Sequence, residues 1–87
     1  MKADHAKVTR QLKIARGQLD GLLNMVDQDA YCIDVSTQLL ATIALLKKVN
    51  SLVLSAHLEH CVKNAATSEE ADAKIAEIQQ LLLKMTD

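Results

Sequence analysis

The 87-residue chain contains no proline, tryptophan or phenylalanine, one tyrosine, two glycines and two cysteines. Each shortage removes a class of structure. Without proline, and with glycine only at Gly17 and Gly21, the chain lacks the punctuation that hairpins and tight turns need, which excludes an all-β or βαβ fold. Tyr31 as the sole aromatic ring leaves no platform on which single-stranded nucleic acid bases can stack. Uncharged runs fall short of the ~20 residues that span a bilayer. The longest, Val35 to Leu46, has 12 residues and includes Ser36, Thr37, Gln38 and Thr42. Nor does a basic start lead into the apolar region of a signal peptide. A soluble cytoplasmic protein is expected, in which two cysteines serve more readily as thiols or metal ligands than as a structural disulfide.

What is present is apolar and helical. The 49% apolar content is almost entirely Ala, Leu, Val and Ile, as an all-α bundle uses. One domain, residues 1–87, is the expected partition, and so small a core is marginal without metal, disulfides or partner subunits. Val8, Leu12, Ala15, Leu19, Leu22 and Val26 recur at alternating steps of four and three, the stripe of a first helix over about 4–27. Asp27-Gln28-Asp29 supplies a break and a side-chain cap for a second helix over about 30–63. Its stripe is Val35, Leu39, Thr42, Leu46, Val49, Val53 and Ala56, widened by Leu40, Ile43, Leu45, Leu52 and Leu54. That surface is too wide for one neighbour to cover, so other subunits are expected to cover it. Thr67-Ser68-Glu69-Glu70 reads as a capping box opening a third helix over 68–85, with Ile75, Ile78, Leu82 and Met85 as its buried stripe. Gly17 and Gly21, four apart, read as a small-residue contact that lets another helix approach closely.

Ten Lys and Arg against eleven Asp and Glu give a formal charge of −1, which does not advertise a nucleic-acid binder. The distribution does. Lys2, Lys7, Arg10, Lys13 and Arg16 face Asp4 alone in the first 18 residues, whereas acidic side chains outnumber basic ones beyond residue 48.

His57 and Cys61, at i and i+4, share one helix face within reach of a single ion. Cys32 precedes Cys61 by 29 residues, so one straight helix separates them by about 44 Å. Antiparallel packing of this helix on its copy in a second subunit would bring Cys32 of one protomer to His57 and Cys61 of the other, twice per dimer. Two thiolates and one imidazole favour Cu(I) before Zn(II), which would want a fourth donor from His60 or Glu59. A metal-dependent hydrolase is disfavoured, because Glu59 lies off the face of His57 and Cys61 and leaves no general base beside an open metal position.

The runs Arg16-Gly17-Gln18-Leu19-Asp20-Gly21, Ala30-Tyr31-Cys32-Ile33-Asp34-Val35 and His57-Leu58-Glu59-His60-Cys61-Val62 resemble the copper-sensitive operon repressors (CsoR) and their nickel/cobalt, formaldehyde and persulfide-sensing relatives over nearly the whole chain. The resemblance implies three-helix protomers, antiparallel dimers and flat tetramers. It also implies a trigonal Cu(I) site from Cys32 of one protomer with His57 and Cys61 of the other. Tyr31 and Glu77 match positions that hydrogen-bond the distal nitrogen of His57 and couple the site to the third helix. Within the family, nickel/cobalt sensors replace the last cysteine by histidine and recruit an N-terminal histidine, but here Cys61 is retained and His5 falls away from that slot. The formaldehyde branch has a proline after the first methionine and lacks the second thiol, and persulfide sensors lose the histidine. Copper is the branch that remains.

The family's basic positions correspond to Gln11, Lys13, Arg16 and Lys48, so one has lost its charge and another lacks the guanidinium fork. A tetramer still repeats Lys7, Arg10, Lys13, Arg16, Lys47 and Lys48 four times, a basic face able to neutralise several phosphates. The expectation is a non-enzymatic, Cu(I)-responsive repressor of double-stranded operator DNA, released by the metal. The competing class is a cytosolic Cu(I)-binding or thiol- and persulfide-sensing relative whose DNA binding is weak or lost.

Overall fold

The computed structural model describes residues 1–85 as three helices, α1 (His5–Asp27), α2 (Cys32–Lys63) and α3 (Ser68–Met85), with no strand among them. Each boundary has a local cause. The Asp4 carboxylate accepts from the backbone N–H of Ala6 at 3.0 Å and of Lys7 at 3.3 Å, capping α1. At the other end, the N–H of Ala30 donates to the Met25 carbonyl at 2.9 Å and that of Asp29 to the Val26 carbonyl at 3.1 Å. These are the paired bonds of a Schellman ending, with Asp29 in the left-handed region at φ 55°. Asp29 therefore closes α1 instead of capping the next helix. The cap position of α2 falls to Tyr31, whose carbonyl accepts from Val35 N–H at 3.1 Å. The helix starts two residues later than the expected residue 30. The Thr67 hydroxyl accepts from Glu70 N–H at 3.1 Å, and the Glu70 carboxylate reaches back to Ala66 N–H at 3.0 Å, so α3 opens on a capping box shifted by one residue on its return arm.

Packing divides into two units, Asp4–Asn50 and a second made of Met1–Ala3 with residues from Ser51 onward. In the first, α1 and the first part of α2 form a helical hairpin. Val8, Ala15 and Leu22 are buried on α1, Thr42 and Val49 on α2. Half-buried Gln11, Gln18 and Met25 on α1, and Val35, Gln38 and Leu45 on α2, fill the intervening steps of three and four. The Thr42 hydroxyl, 3% exposed, donates to Gln18 Oε1 at 2.8 Å, with the Gln38 carbonyl at 3.2 Å as the alternative acceptor. A buried polar group is thereby satisfied at the middle of the seam.

Each stripe read as one face proves to be two rows with seven-residue spacing. Val8, Ala15 and Leu22 face inward, while Leu12, Leu19 and Val26 remain 46%, 48% and 66% exposed. On α2, Thr42 and Val49 face inward, while Leu39 and Leu46 remain 44% and 42% exposed, joined by Ile43 at 46%. Nothing lies within 4 Å of a Cβ built on Gly17 or Gly21, so the expected close helix contact is not made inside the chain. The outward apolar row also gives α2 an 18-residue stretch with a mean hydropathy of 1.5, enough by length and composition to cross a membrane. Counting only uninterrupted runs hides this, because Lys47 and Lys48 are the charges that break it.

The second unit buries Ala3 and Ile78, at 7% and 4% exposure. Leu52, Val53, Leu54, Ala56 and Leu58 on α2 and Ile75 and Met85 on α3 are half-buried, while Leu82, expected inside, is 44% exposed.

Candidate metal centre and basic face

The end of α2 brings two potential metal donors together. Unbroken helix through residue 63 sets His57 and Cys61 one turn apart, both half-buried, with Cys61 Sγ 3.5 Å from His57 Nε2. A thiol and an imidazole so placed are two donors for one ion. Cys32, the third predicted ligand, is the first residue of α2 and is exposed, with a free thiol. Among the described residues of one chain, no group of three or more His, Cys, Asp or Glu is arranged to hold a metal. The structure thus joins two of the three expected ligands.

His57 forms part of a groove of about 440 Å³ whose walls include Met1, Lys2, Glu77, Ile78 and Leu81. Glu77 and His57 thus line the same groove. Tyr31 immediately precedes α2 in the other packing unit and is 68% exposed. Met1 and Lys2 are lining residues that sequence reasoning missed. The available signal was an apolar residue, Ala3, immediately ahead of a strong helix cap. Glu59 and His60 line a separate groove of about 240 Å³ with Lys2, Ala56 and Lys63. Glu59 lies 3.9 Å from the Lys63 ammonium, both side chains about three-quarters exposed at 74% and 77%. Asn64 Nδ2 lies 3.3 Å from the His60 ring and donates to the His60 carbonyl at 2.7 Å. Neither residue joins the His57–Cys61 pair as an added zinc donor.

Lys7, Arg10, Lys13 and Arg16 on α1 are all exposed, as are Lys47 and Lys48 on α2. His5, Thr9, Arg10 and Lys13 line a shallow groove of about 670 Å³, and Thr9, Leu12, Lys13 and Arg16 another of about 310 Å³. The α1 N-terminus adds its positive dipole end to these cations, with Asp4 as the sole local carboxylate and no acid in the first turn. Basic side chains at this end oppose helix stability slightly, the kind of local cost that a binding surface carries. Gln11 is half-buried in the α1/α2 seam, so the charge missing there is missing from the seam and not from the exposed cations.

This combination of a three-helix chain, an incomplete thiol–imidazole centre and a cationic helix is the layout of a metal-responsive DNA-binding regulator. Residues 4–84 match the family described as metal-sensitive transcriptional repressor, and the chain belongs to that family. It is 36% identical over 80 residues to the copper-sensing transcriptional repressor CsoR of Bacillus subtilis, covering 92% of this chain and 79% of the relative. It is 43% identical over 68 residues to CsoR of Mycobacterium ulcerans, covering 78% of this chain but only 58% of that longer relative. Among solved structures, CsoR with Cu(I) from Geobacillus thermodenitrificans superposes with a TM-score of 0.79 at 28% identity, covering 94% of this chain and 85% of that one. The nickel-responsive transcriptional regulator InrS superposes with a TM-score of 0.78 at 25% identity, covering 98% and 96%.

Proposed function

We propose that this repressor senses Cu(I) in the cytoplasm, binding operator DNA when metal-free and leaving it when the metal is bound. The observation that carries the reading is the half-finished centre: Cys61 Sγ and His57 Nε2 are 3.5 Å apart with no third donor arranged around them among the described residues. Soft sulfur with imidazole suits Cu(I), and one more thiolate completes a three-donor set. Exposed Cys32 of the partner subunit is the available donor. When bound, Cu(I) would supply a positive charge and a link between two protomers.

The outward rows support the antiparallel dimer this requires. Residues seven or eighteen apart return to nearly the same helix face, so Cys32, Leu39, Leu46 and His57 share one side of α2. Glu59 is midway between His57 and Cys61, and the midpoint between Cys32 and Glu59 falls at Leu45 and Leu46. A two-fold axis there sets Cys32 of each copy against the His57–Cys61 pair of the other. It also covers Leu39, Ile43 and Leu46, which the protomer leaves exposed. Glu77, in the groove that His57 lines, and Tyr31 of the partner subunit would orient the imidazole. Pairing of dimers into a tetramer repeats Lys7, Arg10, Lys13, Arg16, Lys47 and Lys48 on a surface for double-stranded DNA. All 87 residues act as one functional unit, with no enzymatic step.

Fluorescence anisotropy with DNA from upstream of the coding region tests the reading. One Cu(I) per protomer should weaken binding, and by linkage DNA should weaken Cu(I) binding by the same factor. Unchanged DNA affinity at full Cu(I) occupancy refutes it. The likeness to InrS favours Ni(II) as a second reading, and release by Ni(II) but not Cu(I) in that assay would establish it. A Cu(I)-binding or persulfide-sensing protein without operator binding rests on the net charge of −1 and Gln11, and absence of a specific complex at low and moderate salt supports it.

A further inference from the structure

We propose that Thr42 is a positioning residue for operator binding: its hydroxyl keeps Gln18 inside the α1/α2 seam and so fixes which face of α1 meets α2. Two faces of α1 compete for that seam. Leu12 and Leu19 directly follow Gln11 and Gln18, so each leucine lies about 100° around the helix from the glutamine before it. By apolar burial alone the leucines belong inside. The structure does the opposite. Gln11 and Gln18 are half-buried in the seam with Val8, Ala15 and Leu22, while Leu12 and Leu19 remain 46% and 48% exposed. Thr42, 3% exposed, is the one buried polar side chain among the described residues, and it donates to Gln18 Oε1 at 2.8 Å.

An amide stays in an apolar seam only while it has a partner there. Thr42 is that partner. Without the hydroxyl, Gln18 gains by turning toward water, and the same rotation of α1 carries Leu12 and Leu19 in against α2. Thr42 does not depend on Gln18 in return, because the Gln38 carbonyl at 3.2 Å is a second acceptor for its hydroxyl. The bond also sets the height of one helix against the other. The two helices of the hairpin run in opposite directions, so five residues back from Gln18 and five on from Thr42 bring Lys13 level with Lys47. Both lysines are exposed, as are Arg16 and Lys48. A turn of α1 swings Lys13 and Arg16 around the helix axis while Lys47 and Lys48 keep their places, so one DNA backbone is no longer met by cations of both helices at once. The proposed Cu(I) donors Cys32, His57 and Cys61 are all on α2 and do not move with α1.

The inference rests on the operator-binding reading, and the experiment separates the two. Affinity for the upstream DNA over a range of salt, Cu(I) affinity and urea unfolding are measured on the full-length chain, on Thr42→Val, on Thr42→Ser and on the double variant Gln18→Leu/Thr42→Val. Thr42→Val removes the hydroxyl and strands Gln18. Its DNA affinity should fall about fivefold or more, and the slope of log affinity against log salt should fall by about one or more, with Cu(I) affinity unchanged. Thr42→Ser keeps the hydroxyl and should keep the affinity. The double variant has no amide left to turn outward, so its DNA affinity and slope should return to within about twofold of the unaltered chain. A merely structural role predicts the reverse, because a second change in the seam would add to the damage of the first. The double variant therefore decides the question even where Thr42→Val fails to fold. Unchanged DNA affinity in Thr42→Val, an equal loss in Thr42→Ser, or no recovery in the double variant overturns the positioning role while leaving the repressor reading intact. Absence of any specific complex with the unaltered chain overturns both.

Discussion

Leu46→Ala probes the dimer surface on which the proposed centre depends. Leu46 is 42% exposed in the protomer and sits where the proposed two-fold axis runs, so in that dimer each copy would pack it against the other. Full burial of a leucine side chain is worth about 1.5–3 kcal/mol, and the share still open to solvent corresponds to about 0.6–1.3 kcal/mol per copy. Both copies meet at the axis, so truncation should cost the dimer about 1–2.5 kcal/mol, roughly a 5- to 70-fold weaker dissociation constant. Within the hairpin the covered share is lost as well. Unfolding in urea is therefore followed in parallel, so that protomer destabilisation is separated from dissociation. Sedimentation equilibrium across a dilution series reads the dissociation constant, and Cu(I) affinity should fall with it because the third ligand arrives with the partner. A dissociation constant changed by less than twofold would refute the placement of Leu46 at the interface and, with it, the register that pairs the two helix ends.

Three further outcomes follow from the geometry. Asp29→Gly should raise stability by about 0.5–1 kcal/mol in urea unfolding, since it relieves a left-handed φ of 55° and removes a carboxylate from the negative end of α1; a loss of stability would mean that the Asp29 side chain makes a contact the protein needs. Gly17→Ala and Gly21→Ala each should stabilise α1 by up to about 1 kcal/mol, because open space meets the added methyl; weaker self-association in either variant would instead place another copy against that face. Lys13→Ala should weaken DNA binding at all sequences and reduce the slope of log affinity against log salt by about one, as loss of a single phosphate contact does; an unchanged slope would remove α1 from the interface.

Much of this was legible in the residue pattern, and the exceptions share a cause. Three helices, the Thr67–Glu70 opening and the His57–Cys61 pair all follow from local rules that act within one or two turns. The α1/α2 connection did not, because Asp29 satisfies two rules at once, capping the next helix or closing the previous one, and backbone hydrogen bonds from Asp29 and Ala30 decide for the second. Apolar periodicity also gave no means of dividing a stripe: Val8 and Leu12 look alike in sequence, yet one is 6% and the other 46% exposed, because only one row meets α2 in the same chain. The Gly17/Gly21 pair misled for the same reason, since small residues announce a possible approach and not which chain makes it. Met1 and Lys2 beside His57 are a long-range consequence of folding that no spacing rule reaches.

The central claim is that each metal centre is built from two protomers, and subunit mixing tests it most directly. Cys32→Ala and Cys61→Ala homodimers should each lack the tight Cu(I) site, because each is missing one thiolate at both centres. A heterodimer of the two, isolated with orthogonal tags, places an intact Cys32 against an intact His57–Cys61 pair at one of its two ends. The account predicts one tight Cu(I) per heterodimer. No tight site in the heterodimer, or full Cu(I) affinity in the Cys32→Ala homodimer, would contradict it.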